Sequence, residues 1–437
     1  MKIGVLTIGS ELLNGSRLDT NAHWIARNVI PYCGEVILKK TILDSDDSIV
    51  TALDYFLKSP VEMILITGGL GPTHDDITAS SLYKYFNDEP VFDSSYWEKL
   101  KKRFIKKGFE VSNLNRSQAL VPRNGEIVPN KLGTARGLCF NSGKIKIIAM
   151  PGVPSEMKSM MNETILPMIK RSSNISINYK ILKTTGISES KLYKNLKGII
   201  NDNTEVDIAF LPSYLGVDIR VTCKKTSSFD SVLNDISAVI NNFIYSTDEE
   251  SLEEVVSNIL IENKITISTA ESCTGGKIGD RLTNISGISS VYAGGIIAYS
   301  NDQKINILNV KKEILDEYGA VSEKTAMSMG IGIKKKFSTD IGISTTGIAG
   351  PGGGTNKKPV GLVYIGLAYK DILRAYKFNF SHDRIMNKMI TSQVALNILR
   401  KNLLKKGLIS FHVKVFGNKL NIFLGLDNLI FFILFYF

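Results

Sequence analysis

Ser272, Cys273 and Thr274 stand side by side in TAESCTGG, residues 269–276, where an apolar run gives way through two glycines to a helical pattern. Side chains of these types attack carbonyl carbons once a base takes their proton. Cysteine is intrinsically the stronger nucleophile, but neighbours on an extended segment point to opposite faces, so adjacency does not choose between Ser272 and Cys273. Cys273 is read as a buried structural cysteine. Histidine is scarce: the chain has His23, His74, His382 and His412. Of these, His382 in FSHDR is the alternative base, although a solvated or capping role suits it better. A lysine can take the base's place when burial or a nearby positive charge lowers its pKa from ~10.4. GGIIAYSNDQK, residues 294–304, offers Tyr299 at the end of an apolar strand and Lys304 about one helical turn further on. On spacing alone the blander reading stands ahead, with Lys304 a solvated helix residue and Tyr299 a strand-end aromatic.

Two glycine-rich stretches suit anions. In TGGLGPTHDD, Thr67–Asp76, residues Gly68, Gly69, Gly71 and Thr73 present backbone N–H groups at a strand end, just before a helix. Asp75 and Asp76 by themselves repel phosphate, which calls for a divalent cation between carboxylate and phosphate oxygens. Acidic capping of a helix N-terminus explains them as well. Ser10 and Glu11 in TIGSELLNG, and Pro151, Gly152, Pro154 and Glu156 in MPGVPSEM, follow two other apolar strands. Three loops would then meet at one sheet edge. The second stretch runs from Thr346 and Gly347 through Gly350, Gly352 and Gly353 to Gly354. It reads as a seat for phosphate or ribose, or as a hairpin-like loop.

The elements that must position these residues alternate strand and helix. KIGVLTIG, EVILKKTIL and EMILIT read as strands, while DTNAHWIARNVI, capped by Asp19 or Thr20, and DDSIVTALDYFL read as helices. Such alternation predicts a layered α/β domain with a largely parallel sheet over residues 1–170, whose ligands bind beyond the carboxyl ends of the strands. Residues 171–248, with the strand GVDIRVTCKK and the helix DSVLNDISAVINNFI, read as a small α+β connecting domain. Residues 249–404 are α/β again, with GLVYIGLAY and LRAYKFNF forming antiparallel strands around Asp371. The apolar tail, 405–437, is broken by Asn421, Asp427 and Asn428. It falls short of the ~20 clean residues of a membrane span, so no membrane partner is expected.

Length and composition bound the rest. A chain of 437 residues exceeds what one core usually organises. With 43% hydrophobic and 22% charged residues it has the make-up of a soluble globular protein. Its net charge of +11 comes from lysines dispersed among Ile and Asn, without an arginine block or interleaved aromatics, so no specific nucleic-acid partner is expected. Cys33, Cys139, Cys223 and Cys273 show no metal-ligand spacing, and MKIGVLTIGS reads as a first strand rather than a leader. A reducing, cytoplasmic setting follows as the expectation.

Together GSELLNG, TGGLGPTHDDIT, NLNRSQALVP and MPGVPSEM resemble the molybdopterin-binding-like N-terminal domain of the CinA family. AESCTGG, GGIIAYSNDQK, YGAVSEKTA and STTGIAGPGGGTNKKPVG resemble its C-terminal domain, and TTGISESKLYKNL fits between them. The resemblance covers residues 1 to about 404 and implies two activities. The C-terminal domain would deamidate nicotinamide mononucleotide without a cofactor, using Ser272 as nucleophile, Lys304 as base and Tyr299 as relay. Thr274, Gly275 and Gly276 would hold the oxyanion, and Thr346, Gly347, Gly350, Gly352 and Gly353 the nucleotide. The N-terminal domain would cleave ADP-ribose to AMP and ribose 5-phosphate. There Ser10, Asn21, Gly68, Gly69, Gly71 and Thr73 would bind substrate, and Asp75, Asp76 and Glu156 a divalent metal ion. A homo-oligomer is expected. The alternative is a non-catalytic nucleotide- or pterin-binding protein of competence or DNA-damage response. Two positions depart from the family pattern: Arg136 stands where proline is usual, and His382 where glycine is more common.

Overall fold

The computed structural model describes residues 1–404 apart from 107, 111, 173–176 and 224–225, and beyond them the strands Phe411–Val415 and Asn418–Ile422. It divides into two compact units, residues 1–179 with 223–226, and residues 180–222 with 227–437.

The first unit is built on a six-stranded sheet in the order Glu35–Ile42, Lys2–Ile8, Met63–Thr67, Ile145–Met150, Gly137–Ser142, Glu126–Val128. The first four strands are parallel, Gly137–Ser142 pairs antiparallel to Ile145–Met150, and Glu126–Val128 pairs antiparallel to Gly137–Ser142. The central strands Lys2–Ile8, Met63–Thr67 and Ile145–Met150 are largely apolar because both faces are covered. Leu6, Ile8, Ile64 and Ile66 enter one core, while Ile3, Val5, Met63 and Leu65 enter the other, as the period of two requires. Each fully buried side chain of this size contributes ~1.5–3 kcal/mol. The flanking helix Thr20–Asn28 starts where Asp19 accepts from the Ala22 N–H at 2.9 Å, and Asp46–Leu57 starts at Ser45. Parallel pairing brings the carboxyl ends of Lys2–Ile8, Met63–Thr67 and Ile145–Met150 to one edge. Gly68 leaves that edge at φ 116°, and a Cβ there would lie 2.1 Å from the Ile8 carbonyl oxygen, so only glycine lets the loops cross so closely.

The second unit is built on two larger sheets, apart from a short terminal hairpin. Four strands in the order Val206–Ser213, Gly216–Cys223, Asn178–Thr184, Ile244–Ser246 form a small α+β module with helices Glu189–Asp202 and Thr226–Ile240. The other sheet runs Tyr292–Ile297, Ile267–Glu271, Ile341–Gly347, Leu362–Tyr369, Ile372–Asn379. Its first three strands are parallel and its last two antiparallel, matching the mixed pattern read from the sequence. Helices Leu252–Glu262 and Arg384–Leu404 cover one face, and Glu323–Phe337 the other.

Among the described residues no helix is long and apolar enough to cross a membrane. Phe411–Val415 and Asn418–Ile422 pair as an antiparallel hairpin; the rest of the apolar tail lies outside the described residues.

Candidate active site

The strand Ile267–Glu271 is fully buried and delivers Ser272 and Cys273 to the carboxyl edge of its sheet. There Glu271 accepts from the Ile278 and Gly279 N–H groups at 3.1 and 2.9 Å, anchoring the start of helix Lys277–Thr283. The Ser272 N–H donates to the Thr345 carbonyl at 3.0 Å, tying the turn to the next strand. Gly275 and Gly276 close the turn at φ 61° and 91°.

Ser272, Cys273, Tyr299, Lys304, Thr346 and Gly347 line one cavity of about 180 Å³, together with Arg384. Lys304 is only 1% exposed, which overturns the reading of it as a solvated helix residue. Its amine donates to the Tyr299 and Ser300 carbonyls at 3.2 and 3.4 Å. Two N–H groups are thereby used, and the third position on nitrogen is an N–H when charged and a lone pair when neutral. Burial pulls this amine below the ordinary lysine range, with the Cys273 sulfur acting in the opposite sense. Cys273 shares the cavity wall, but burial pushes its thiol up to about 12. At neutral pH it is therefore a protonated thiol and a poor rival to Ser272.

Tyr299 is exposed, and its phenol oxygen accepts from the Arg384 guanidinium at 2.7 Å, leaving its own proton to donate. Arg384, the first residue of helix Arg384–Leu404, also donates to the Gly350 carbonyl at 2.7 Å. One turn further along, the buried Asn387 donates to the carbonyls of Ala349 and His382 at 3.0 and 2.7 Å. The helix thus holds both the phenol and the glycine-rich loop. Sequence reasoning missed Arg384 and Asn387; their signal was position, in the first turn of the helix that opens on the last residue of FSHDR.

Several expected contacts are corrected. Thr274, Gly275 and Gly276 do not line the cavity. The Gly275 N–H closes the turn onto the Ser272 carbonyl at 3.2 Å, and the fully buried Thr274 hydroxyl pairs with that of Thr345 at 2.6 Å. Thr346 lines the cavity, but its hydroxyl donates to the Ala320 carbonyl at 2.6 Å. Gly352 and Gly353 are exposed outside the cavity lining. His382 is also outside the lining; its ring stands edge-on to Tyr214 at 5.4 Å.

In the first unit the three predicted loops do meet. Asn21, Gly68, Gly152 and Glu11 line a cleft of about 130 Å³ beyond the strand ends. Gly69, Gly71 and Thr73 stay outside its lining. Asp76 accounts for this, because it accepts from both the Thr73 N–H and the Thr73 hydroxyl and packs over Gly71. The Thr73 groups are thereby satisfied by the loop's own carboxylate, and the Gly68 N–H by the Met150 carbonyl at 3.1 Å. Ser10 is also outside the lining and donates its N–H to Asp44 at 3.0 Å.

The expected metal ligands are dispersed. Asp75 is exposed beside His74 at 3.0 Å, and Glu156 accepts from the Asn130 amide at 2.6 Å against Gly133. Among the described residues no three His, Cys, Asp or Glu side chains gather as a metal site. Sequence reasoning missed Asp44, whose carboxyl is raised by burial and by the neighbouring charges of Glu11 and Asp76, against the lowering effect of the Ser10 N–H. Arg136 forms an ion pair with Asp93 at 2.7 Å and stacks 3.7 Å above the Tyr96 ring. It clamps the loop before it to helix Ser94–Lys106.

Comparison with known proteins follows the same division. Residues 249–403 match the family model described as CinA C-terminal domain, 4–171 that described as Probable molybdopterin binding domain, and 179–245 that described as Damage-inducible protein CinA KH domain. A relative from Caldicellulosiruptor bescii, named for competence-damage induction, is 39% identical over 92% of this chain and 98% of its own length. A CinA-like protein of Dictyoglomus turgidum is 38% identical over 92% of this chain and its full length. The crystal structure of the competence/damage inducible protein CihA from Agrobacterium tumefaciens is 35% identical over 36% of this chain and 97% of its own, with a TM-score of 0.34. With near-complete coverage at this identity, the chain belongs to the CinA family.

Proposed function

We propose that the second unit is an amidohydrolase that converts nicotinamide mononucleotide to nicotinic acid mononucleotide and ammonia. The observation that carries this reading is the buried Lys304 amine, lowered in pKa by its surroundings, in the same cavity as Ser272. Neutral Lys304 takes the Ser272 hydroxyl proton as the oxygen attacks the carboxamide carbon. Collapse of the tetrahedral adduct breaks the C–N bond, Lys304 returns the proton to the leaving nitrogen, and ammonia departs from an acyl ester. Water then adds to the ester with Lys304 again as base, releasing the acid and restoring Ser272. Tyr299, oriented by Arg384, donates to the reacting oxygens, and the Arg384 guanidinium supplies positive charge at the cavity wall. The cavity holds the nicotinamide end, leaving the phosphate toward its mouth.

For the first unit the proposed reaction is hydrolysis of ADP-ribose. The carboxylates suit a cation held by one or two side chains and completed by substrate phosphates, rather than a dedicated protein cage. Asp44 and Asp76 would hold it, with Glu11 adjacent, and the ion when bound neutralises charge on the pyrophosphate. The test is direct: purified full-length protein is incubated with nicotinamide mononucleotide, and separately with ADP-ribose plus a divalent metal. Ammonia from the first and AMP from the second support the two assignments. Binding without product in both would replace them with a nucleotide-binding role.

A further inference from the structure

The turn that carries Ser272 ends in Gly275 and Gly276, both at positive φ, and two glycines in succession leave the backbone free to pivot. Lys304 is held in place by the Tyr299 and Ser300 carbonyls. The aim of the Ser272 hydroxyl therefore depends on what fixes the helix Lys277–Thr283 beyond the glycines. At the start of that helix Glu271, only 1% exposed, accepts the Ile278 and Gly279 N–H groups. Towards its end stands Arg281, which is buried and does not line the cavity. Its guanidinium spans two further helices. It donates to Glu253 at 2.6 Å on helix Leu252–Glu262, and to Ser392 and Gln393 at 3.0 and 2.7 Å on helix Arg384–Leu404. The same long helix begins with Arg384, which orients the Tyr299 phenol. A buried ion pair is a weak device for stability, since desolvation offsets the attraction, whereas the planar fork of a guanidinium holds several partners in one geometry.

We propose that Arg281 is a positioning residue for the amidohydrolase reaction, bracing helix Lys277–Thr283 against helix Arg384–Leu404 so that Ser272 and Tyr299 meet Lys304 in one register. The proposal rests on the Ser272–Lys304 reaction. A displacement of about 1 Å between reacting groups costs on the order of 10²-fold in rate, so a side chain outside the cavity controls turnover through this brace.

The test is the full chain carrying Arg281→Met together with Glu253→Gln, which removes the ion pair without leaving a buried charge unpaired. The kcat for ammonia release from nicotinamide mononucleotide should fall by about 10–100-fold. KM should stay within about threefold and the inflection of the pH profile should not move, because the cavity lining and Lys304 are unchanged. Arg281→Lys, which keeps the charge but not the fork, should recover part of the loss, and it carries the test if the double variant melts more than about 5 °C early. Amide hydrogen exchange across residues 272–283 should quicken in both. Unchanged kcat and exchange, a loss confined to KM, or a shifted pH inflection would overturn the assignment. If the wild-type protein releases no ammonia, the amidohydrolase reading falls and exchange alone decides the brace: quickened exchange keeps it, and unchanged exchange removes it.

Discussion

In the proposed amidohydrolase reaction, Lys304 is the residue on which the chemistry turns. Its burial lowers the amine's pKa, so the neutral, basic fraction grows as pH rises. The kcat/KM for nicotinamide mononucleotide should therefore climb from acid to alkaline pH and level off, with its inflection below the ~10.4 of a free lysine. The same depression acts on stability. Between the lowered folded pKa and the unfolded value the unfolded chain binds more protons, so stability rises with pH across that window. Lys304→Met should accordingly melt higher than wild type, with the gap widest at low pH and closing as pH rises. Scanning calorimetry across pH would reveal the opposite trend if the ammonium were paired. Ser272→Ala and Lys304→Ala should each reduce ammonia release by at least ~10²–10⁴-fold, while Cys273→Ala keeps it. The pair was visible in the sequence as types at a spacing. Its burial was not, because nothing local to SNDQK says that helix Asn301–Asn306 turns Lys304 inward.

Elements explain why the cavity has its shape. Helix Arg384–Leu404 places Arg384 and Asn387 on the glycine-rich loop, so the loop's conformation is set by a segment that follows it by more than a strand hairpin. Asn387→Ala should raise KM by about tenfold and change kcat less, since two carbonyls lose their donor; steady-state kinetics at constant pH would decide it. In the first unit, Asp93 is held down to about 2 by the Tyr96 N–H and then by Arg136. Its contribution is present above the ordinary carboxylate range and lost as pH falls toward that value. Arg136→Ala should remove about 1–3 kcal/mol of stability, read as a lower denaturation midpoint at neutral pH. An Arg136→Ala protein as stable as wild type near pH 7 would show that the clamp contributes nothing. Strands and helices were largely legible from period and caps. The Asp76–Thr73 contact was not, since a loop that binds phosphate and one that binds its own carboxylate share a composition.

At the level of the chain, the two proposed activities lie in different compact units. Asp76→Ala should abolish AMP release from ADP-ribose and leave ammonia release within about twofold, and Ser272→Ala should do the converse; mutual loss in either variant would refute the division of labour. The second unit is itself joined by buried polar contacts. Arg400, its pKa lowered to about 10 by burial, donates to the Ile244 carbonyl at 2.8 Å and to Asn397 at 3.1 Å, and Gln393 reaches Thr185 at 3.4 Å. The small α+β module is thus fastened to the same helix that begins at the cavity.

Composition and periodicity were enough to establish an α/β chain with two glycine-rich edges, a serine before a helix and a lysine after a strand, because these properties are local and repeat every two or 3.6 residues. Which groups are already satisfied was decided only by folding. Asp76 takes up the Thr73 donors of its own loop, the Gly275 N–H closes its own turn, and the Asn21 oxygen is left without a donor. Hydrogen-bond partners are drawn from segments tens of residues away, and their supply follows from how the strand ends converge in space rather than from any stretch of sequence.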